Sequence, residues 1–296
     1  MDSTMPLPVV AAHGGATSFK DEHHSDIEKA VKKAAKTGLC VLDRGGSPLD
    51  AAEATIHVLE DTRLFTAGRG ACKNAEEGIE VDALIMDGKR LESGAVMAVR
   101  DIIHPISLAR YVLERTPAYQ VAGRGADLLY NEMIKSGYRR EPEPRDTSLP
   151  AISSGCDTVG CVIVDKQHRI VSASSTSGWP GKLVGRVGDS PVVGAGVYAN
   201  EVAGATCTGK GEQILRISMA RIAVNHIEEG RSVEEAVRLV MKVMRERTSG
   251  EVGLILADGE GNIAVNFDTK HMPTAIGYPG EEIYYSLKPK WSSEYT

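Results

Sequence analysis

Aromatic residues make up only 5% of the 296 residues, and the chain carries no block of basic side chains. Those two absences argue against a base-stacking surface and against a polybasic face for nucleic acid or an acidic membrane. No apolar run is long enough to span a bilayer. Residues 1–8 lack the charged start and long apolar stretch of a secretory signal. Cysteine is scarce and scattered: Cys40, Cys72, Cys156, Cys161 and Cys207 form no Cys-x-x-Cys pair, and none falls at zinc-ligand spacing with histidine. An odd number of unclustered cysteines reads as small buried residues in a reducing compartment, which predicts a cytoplasmic protein.

What is present describes an ordinary globular chain, with 42% hydrophobic and 25% charged residues and a net charge of −6. Val9 to Ala12 reads as a buried strand ending at His13-Gly14-Gly15-Ala16, where paired glycines permit a sharp turn or a close backbone approach. A helix is expected from Ser25, with Glu28 completing a capping box, and a second from Pro48. His57, on that second helix, reads as a packed or surface histidine. Residues 81–88 and 94–99 predict a hairpin, followed by helices at 106–113 and 126–134 and a polar linker from about residue 137. Further strands are expected at 159–164 with 170–174, 192–198 with 203–208, and 252–257 with 262–267, with 283–286 as an edge strand. Helices are expected at 212–228 and, after a Ser232 cap with its Glu235, at 233–245. Hairpins grouped with helix pairs do not match the alternation of a parallel sheet; they predict antiparallel sheets covered by helices in one domain.

The centre of the chain carries the chemistry. In Cys156-Asp157-Thr158-Val159-Gly160 a threonine stands at a loop-to-strand junction. If the Asp157–Thr158 bond were cut, Thr158 would own both a hydroxyl nucleophile and a free amine, whose ordinary pKa of about 7.7–8.0 suits a general base. An ordinary junction fits the pentapeptide equally well. Downstream, Ser175-Thr176-Ser177-Gly178 ends a strand in three hydroxyls, and Arg186 and Asp189 stand three apart in a glycine-framed loop. That pair could hold the carboxylate and ammonium of an amino acid, or the two side chains could simply pair with each other. Thr206-Cys207-Thr208-Gly209-Lys210-Gly211-Glu212 leads from a strand end into a helix, a place where backbone N–H groups and a hydroxyl can receive an oxyanion. Residues 59–70 form a polar loop rich in glycine at its end, without the Lys-Ser/Thr ending of a phosphate loop.

Taken in order, Asp157-Thr158-Val159-Gly160, Ser175-Thr176-Ser177-Gly178, the run from Gly185 to Pro191, and Thr208-Gly209-Lys210-Gly211 resemble the plant-type L-asparaginases and isoaspartyl peptidases. These are N-terminal nucleophile hydrolases related to glycosylasparaginase. His13-Gly14-Gly15-Ala16, the 59–70 loop, Met86-Asp87-Gly88 and His104-Pro105-Ile106-Ser107 extend the resemblance through nearly the whole chain.

The resemblance implies an α+β fold, a four-layer αββα sandwich, made as one catalytic domain (1–296) that cuts itself into an α chain (1–157) and a β chain (158–296). It assigns Thr158 as nucleophile and Thr176 as its supporting hydroxyl. Arg186 is matched to the substrate α-carboxylate, Asp189 to the α-ammonium, and Thr208 and Gly209 to the oxyanion. Asp157, Gly14 and Gly15 are matched to processing. The main-chain carbonyls of Leu59, Glu60, Thr62, Phe65, Ala67 and Arg69 are matched to a structural sodium ion. No catalytic cofactor is implied. The expected substrates are isoaspartyl dipeptides and L-asparagine, and the expected assembly is a homodimer of αβ units without nucleic acid or membrane partners. Glycosylasparaginase activity, or a non-catalytic relative acting as a binding protein, are the alternatives. Two residues depart from the plant enzymes: Thr66 stands where asparagine is usual, and Asp157 where glycine is usual.

Overall fold

The computed structural model describes residues 6–140, residue 142 and residues 157–288. Most of the expected linker, and Cys156, lie outside the described residues. In chain order the elements are strand β1 (Val9–His13), helices α1 (His24–Asp43) and α2 (Pro48–Glu60), strands β2 (Glu80–Asp87) and β3 (Glu92–Arg100), helix α3 (Pro105–Arg115), strand β4 (Gln120–Ala122) and helix α4 (Gly123–Lys135). After the central junction come β5 (Val159–Val164), β6 (Ile170–Thr176), β7 (Val197–Ala199), β8 (Ala203–Gly209), α5 (Gly211–Ile217), α6 (Met219–Glu228), α7 (Val233–Arg247), β9 (Val252–Asp258), β10 (Ile263–Phe267), β11 (Thr274–Gly277) and β12 (Tyr284–Ser286). The fold is mixed α+β.

The strands form an eight-stranded sheet in the order β12-β11-β1-β5-β6-β2-β3-β4 and a four-stranded sheet in the order β10-β9-β8-β7. Alternation along the strands divides the interior into three apolar clusters. Val10 and Ala12 of β1, with Val159, Cys161 and Ile163 of β5, meet the apolar faces of α1–α4. The alternate residues Val9, Ala11, Val162 and Val164 meet Ile255 and Ala257 of β9 and Val197 and Ala199 of β7. Ala203, Ala205 and Cys207 of β8 pack with Met219, Ala223, Val240 and Met244 of α6 and α7. Strands covered on both faces must be apolar throughout, and β5 accordingly has every residue buried.

The helices and hairpins differ from expectation in instructive places. Helix α1 starts at His24 with no side-chain cap at His23, so the Ser25–Glu28 box does not form. The box sits instead on α2, where Ser47 and Asp50 satisfy each other's backbone N–H groups ahead of Pro48. The Ser232 cap on α7 accepts from the Glu235 N–H as expected. The expected 212–228 helix breaks at Ser218, which has a positive φ of 54°. The break frees the N–H groups of Ala220 and Arg221 to bond the carbonyls of Ala195 and Gly194 at 3.0 and 2.8 Å. Those same turns shorten the expected 192–198 strand to β7. Strand β11 and the parallel pairing of β3 with β4 were not expected from the pattern. His168, at a hairpin tip, places Nδ1 2.7 Å from the Gly259 carbonyl, and the edge strand near the C-terminus is present as β12.

A buried carboxylate ties α2, α3 and the last described turn of the first half together. Glu53 accepts from Ser107 Oγ at 2.6 Å, Arg110 Nη1 at 2.8 Å and both Nε and Nη2 of Arg139 at 2.9 and 2.5 Å. His57 donates into or accepts from Ser107 Oγ at 2.7 Å and stacks on His104, so it is a packed histidine as expected. Burial opposes ionisation of Glu53, but the Arg139 and Ser107 bonds outweigh it and hold the carboxyl down to about 2. A depressed folded value stabilises the protein above the ordinary pKa of 4.5 and is lost as pH falls through about 2. Glu53→Ala is therefore expected to cost up to about 3 kcal/mol at pH 7, the low end for a broken buried pair, because the buried Arg110 keeps Asp50 and Glu114 and Arg139 is only half-buried. Urea denaturation should show the difference at pH 7 and a smaller one near pH 2.

Candidate active site

Strand pairing brings the central junction under the first strand. β5 lies between β1 and β6, with His13 opposite Gly160 and Val159 opposite Ser175. Beyond the end of β1 the chain crosses the Asp157–Thr158 bond. A Cβ on Gly15, whose φ is +103°, would collide with Asp157 Cβ and stand 3.2 Å from Thr158 N. Only glycine allows this approach. Gly14 has a different neighbour: a Cβ there would run into the Phe65 ring, while its own N–H bonds the Pro273 carbonyl at 2.9 Å.

Asp157 and Thr158 are buried, and their polar groups are individually held. The Asp157 carbonyl oxygen accepts from the Thr66 hydroxyl at 2.8 Å and from the Thr176 hydroxyl at 2.9 Å. Thr66 also donates its N–H to the Asp157 carboxylate at 2.5 Å and lies within hydrogen-bonding contact of the same oxygen through Oγ1. Thr176 Oγ1 accepts the Gly178 N–H at 3.0 Å, so its one proton is directed at Asp157. Thr66 is itself fixed, since Ser177 donates both N–H and Oγ–H to its carbonyl at 2.7 Å. The Thr158 hydroxyl lies 3.1 Å from Ser190 Oγ. Thr208 is buried at the end of β8 and accepts the Ala16 N–H at 3.1 Å, leaving its hydroxyl proton unassigned; Gly209, at φ +118°, follows it.

His13 lies beneath this junction. It is fully buried, with Nε2 3.2 Å from Thr206 Oγ1. Burial depresses its pKa to about 3, against a weaker opposing hydrogen bond to the Thr158 backbone, so it is a neutral imidazole. A Cβ on Gly160 would strike both His13 and Thr206, which explains the glycine two residues after Thr158.

Arg186 and Asp189 do not pair with each other in the described hydrogen bonds and ion pairs. Arg186 donates Nε and Nη2 to the two Glu212 oxygens, each at 3.0 Å, and its guanidinium stacks 3.9 Å above the Trp179 ring. Asp189 is buried with one carboxylate oxygen, Oδ2, lacking any partner. Burial raises its pKa to about 7, only partly opposed by its own backbone N–H and the charge of Arg186. The two groups border one space: a Cβ on Gly211 would stand 2.6 Å from Asp189 Oδ1 and 2.8 Å from Arg186 Nη2. A buried acceptor without a partner beside a guanidinium suits a small ligand carrying an ammonium and a carboxylate.

The 59–70 loop carries Thr66. Phe65, Leu59 and Glu60 are buried, and carbonyls of Glu60 and Phe65 crowd the Cα positions of Gly68 and Gly70, respectively, so that a side chain on either glycine would collide with them. The Leu59 carbonyl accepts from Thr62 Oγ1 at 2.9 Å, and that of Ala67 from the Gly70 N–H at 3.0 Å. Each carbonyl oxygen has a second lone pair, and neutral oxygens are donors of the kind that a hard cation of low charge takes. Among the described residues no cluster of three or more histidine, cysteine or acidic side chains is arranged for a metal.

Four groups at the site had no role assigned from sequence: Ser190, His13, Glu212 and Trp179. Ser190 and Glu212 each adjoin a residue already singled out, and that adjacency was the only signal for them. Trp179, one of only two tryptophans in the chain, directly follows the Ser175–Gly178 motif. The buried Lys182, whose Nζ donates to the Glu80 carbonyl at 3.2 Å, carries no sequence signal at all.

Comparison with known proteins gives consistent matches. The asparaginase family model matches residues 6–147 and 135–284. An isoaspartyl peptidase/L-asparaginase of Xenopus laevis is 39% identical over 90% of this chain and 91% of its own length. One from Danio rerio is 37% identical over 93% of this chain and 94% of its own. A plant-type L-asparaginase of Pyrococcus furiosus is 36% identical over 91% of this chain and 96% of its own.

The space between Arg186, Asp189 and Gly211 can be tested directly. Gly211→Ala is expected to weaken binding of L-aspartate by about tenfold to a hundredfold, the range that overpacking by one methyl produces, with an unchanged circular dichroism spectrum. Isothermal titration calorimetry on both proteins measures it.

Proposed function

The chain belongs to the asparaginase family, and from that premise we propose that it is a self-processing amidohydrolase of β-aspartyl bonds, acting on isoaspartyl dipeptides and L-asparagine. The observation that carries the reading is the Asp157 carbonyl held by the hydroxyls of Thr66 and Thr176, one bond away from Thr158. A peptide carbonyl with two hydroxyl donors is prepared for the negative charge that attack would create. The names of the relatives favour these substrates over glycosylated asparagine.

In processing, the Thr158 hydroxyl adds to the Asp157 carbonyl carbon, and the developing oxyanion is received by Thr66 and Thr176. The C–N bond then breaks, its nitrogen takes a proton, and an ester joins Asp157 to Thr158 Oγ1. Water cleaves the ester and leaves Asp157 as a new C-terminus and Thr158 with a free amine. The product is an α chain of residues 1–157 and a β chain of 158–296. Gly15 supports this step because no side chain stands between β1 and the bond.

In turnover, Arg186 binds the substrate α-carboxylate and Asp189 its α-ammonium, which supplies the partner that Asp189 Oδ2 otherwise lacks. Fixing both groups leaves the β-carbonyl as the one presented to Thr158. The Thr158 amine accepts the hydroxyl proton during attack and returns it to the departing ammonia or amine. Thr208 Oγ–H and the Gly209 N–H receive the oxyanion, and water hydrolyses the acyl-enzyme.

Three further parts of the reading have narrower support. The three stacked apolar clusters support a four-layer αββα sandwich. The carbonyls of Leu59, Glu60, Thr62, Phe65, Ala67 and Arg69 would hold a sodium ion, which would brace the loop that presents Thr66. A cytoplasmic homodimer of αβ units, without nucleic acid or membrane partners, completes the proposal. Free thiols at Cys40, Cys72, Cys161 and Cys207 are in keeping with a reducing compartment, and no described helix is long and apolar enough to cross a membrane.

Electrophoresis tests processing. The 31.7 kDa chain should run as two bands of about half its mass, Thr158→Ala should stay whole, and Thr66→Val should process more slowly. A wild-type chain that remains uncut and releases no aspartate from β-aspartyl-leucine or asparagine would sink the reading.

The pH dependence follows from Asp189. Its raised pKa of about 7 means that the carboxyl gains a proton as pH falls, and the protonated form no longer attracts an ammonium. KM for asparagine is expected to rise by up to about tenfold per unit below pH 7. Asp189→Asn should raise KM most above pH 7, approach wild type at low pH and remove that slope.

A further inference from the structure

Arg186 is clamped more tightly than carboxylate binding by itself requires. Glu212 occupies Nε and Nη2, and Trp179 covers one face of the guanidinium. Nη1 has no hydrogen-bond partner among the described residues. It faces two glycines: Cβ atoms on Gly178 and Gly188 would lie 3.0 and 2.7 Å from it. One edge and one face are thus closed, and Nη1, with both its protons unassigned, is kept clear of side chains.

Trp179 is itself fixed from behind. Its carbonyl accepts the Lys182 N–H at 3.2 Å, closing a tight turn, and the Gly181 N–H bonds the Lys73 carbonyl at 2.8 Å. Lys182 is buried, with Nζ on the Glu80 carbonyl, and the Gly185 N–H bonds the Glu80 carboxylate at 2.9 Å. The backbone of the 179–185 segment is therefore tied to Lys73 and to Glu80 of β2, and it carries the indole against Arg186.

We propose that Trp179 is the positioning residue that aims Arg186 Nη1 at the substrate α-carboxylate. Glu212 alone fixes the guanidinium along one edge but permits it to pivot about that edge; stacking on a rigid indole removes the pivot. Stacking also favours the guanidinium plane electrostatically without using any of its N–H donors. This inference rests on the reading of Arg186 as the carboxylate-binding group.

Binding without turnover gives the test. L-Aspartate carries both α-groups, whereas β-alanine keeps the ammonium and the distal carboxylate but lacks the α-carboxylate. Trp179→Ala is expected to raise Kd for L-aspartate about tenfold, within the range of a desolvated cation–π contact, and to leave that of β-alanine unchanged. KM for asparagine should rise by the same factor with kcat nearly constant. Trp179→Phe should recover most of the affinity, and the two-band pattern should persist in both variants. Unchanged L-aspartate affinity in Trp179→Ala, or equal weakening of both ligands, would overturn the proposal. A second readout needs no change at Trp179: in Trp291→Phe protein, L-aspartate should shift the indole emission, and β-alanine should not. An emission that ignores L-aspartate also overturns it. A wild-type chain that hydrolyses nothing, yet loses L-aspartate binding in Trp179→Ala, would refute the functional reading and leave this one standing.

Discussion

The structure depends on a single buried peptide carbonyl, that of Asp157. A buried carbonyl needs a partner, and most strand-end carbonyls find one in a neighbouring backbone N–H. Here the partners are two side-chain hydroxyls, Thr66 and Thr176, drawn from positions 91 and 19 residues away. Bringing them together requires the 59–70 loop to fold back onto the end of β6, and requires β1 to end in glycine where it crosses the same bond. The loop in turn needs its own glycines, since side chains at residues 68 and 70 would strike the Glu60 and Phe65 carbonyls. Much of the local backbone follows from satisfying this one oxygen.

The two charged groups of the ligand space are treated in opposite ways, and the difference is chemical. Arg186 is largely covered, with the half-exposed Glu212 carboxylate on one edge, so its charge is already compensated. Asp189 is buried and has an oxygen with no partner, so its ionised form is held at a cost that its raised pKa records. A ligand ammonium entering this space relieves that cost. A ligand carboxylate gains less charge compensation from Arg186 and more geometric definition. In the proposed binding mode, orientation would come from the arginine, which Glu212 and Trp179 flank, and electrostatic drive from the aspartate. His13 takes no part in the charge balance, since it is buried and neutral.

Much of the fold was legible because strands covered on both faces are largely apolar, and β1, β5 and β9 stand out for that reason. The hairpins at residues 80–100 and 252–267 were legible from turn residues between such runs. What escaped had no local signal. β4 has only three residues and depends on β3 for its existence, and β11 has an unremarkable sequence paired between β1 and β12. The break at Ser218 could not be read from an unbroken apolar periodicity, because its cause is the 194–195 turn, distant in sequence. At the site, Thr158, Thr176, Arg186 and Asp189 stood out through hydroxyl runs and glycine-framed charges. The sequence alone left the Arg186–Asp189 pairing open. What decided against it was Glu212, 26 residues beyond Arg186.

The departure at Thr66 becomes intelligible once proton counts are compared. An asparagine amide has two N–H donors, whereas a threonine has one O–H. In this chain that one proton faces two acceptors, the Asp157 carbonyl oxygen and Asp157 Oδ1, and it can bond only one at a time. The Thr66 N–H takes the second role by bonding Oδ1 directly, so the hydroxyl is free to serve the carbonyl. Backbone and side chain of one threonine thus serve the carboxylate and the carbonyl of Asp157 separately. The division is possible only because residue 157 has a carboxylate within reach of the residue 66 backbone. A glycine there would leave the Thr66 N–H without an acceptor, and a buried N–H without an acceptor is expensive. Thr66 and Asp157 therefore depend on each other in this chain: each satisfies a buried polar group of the other.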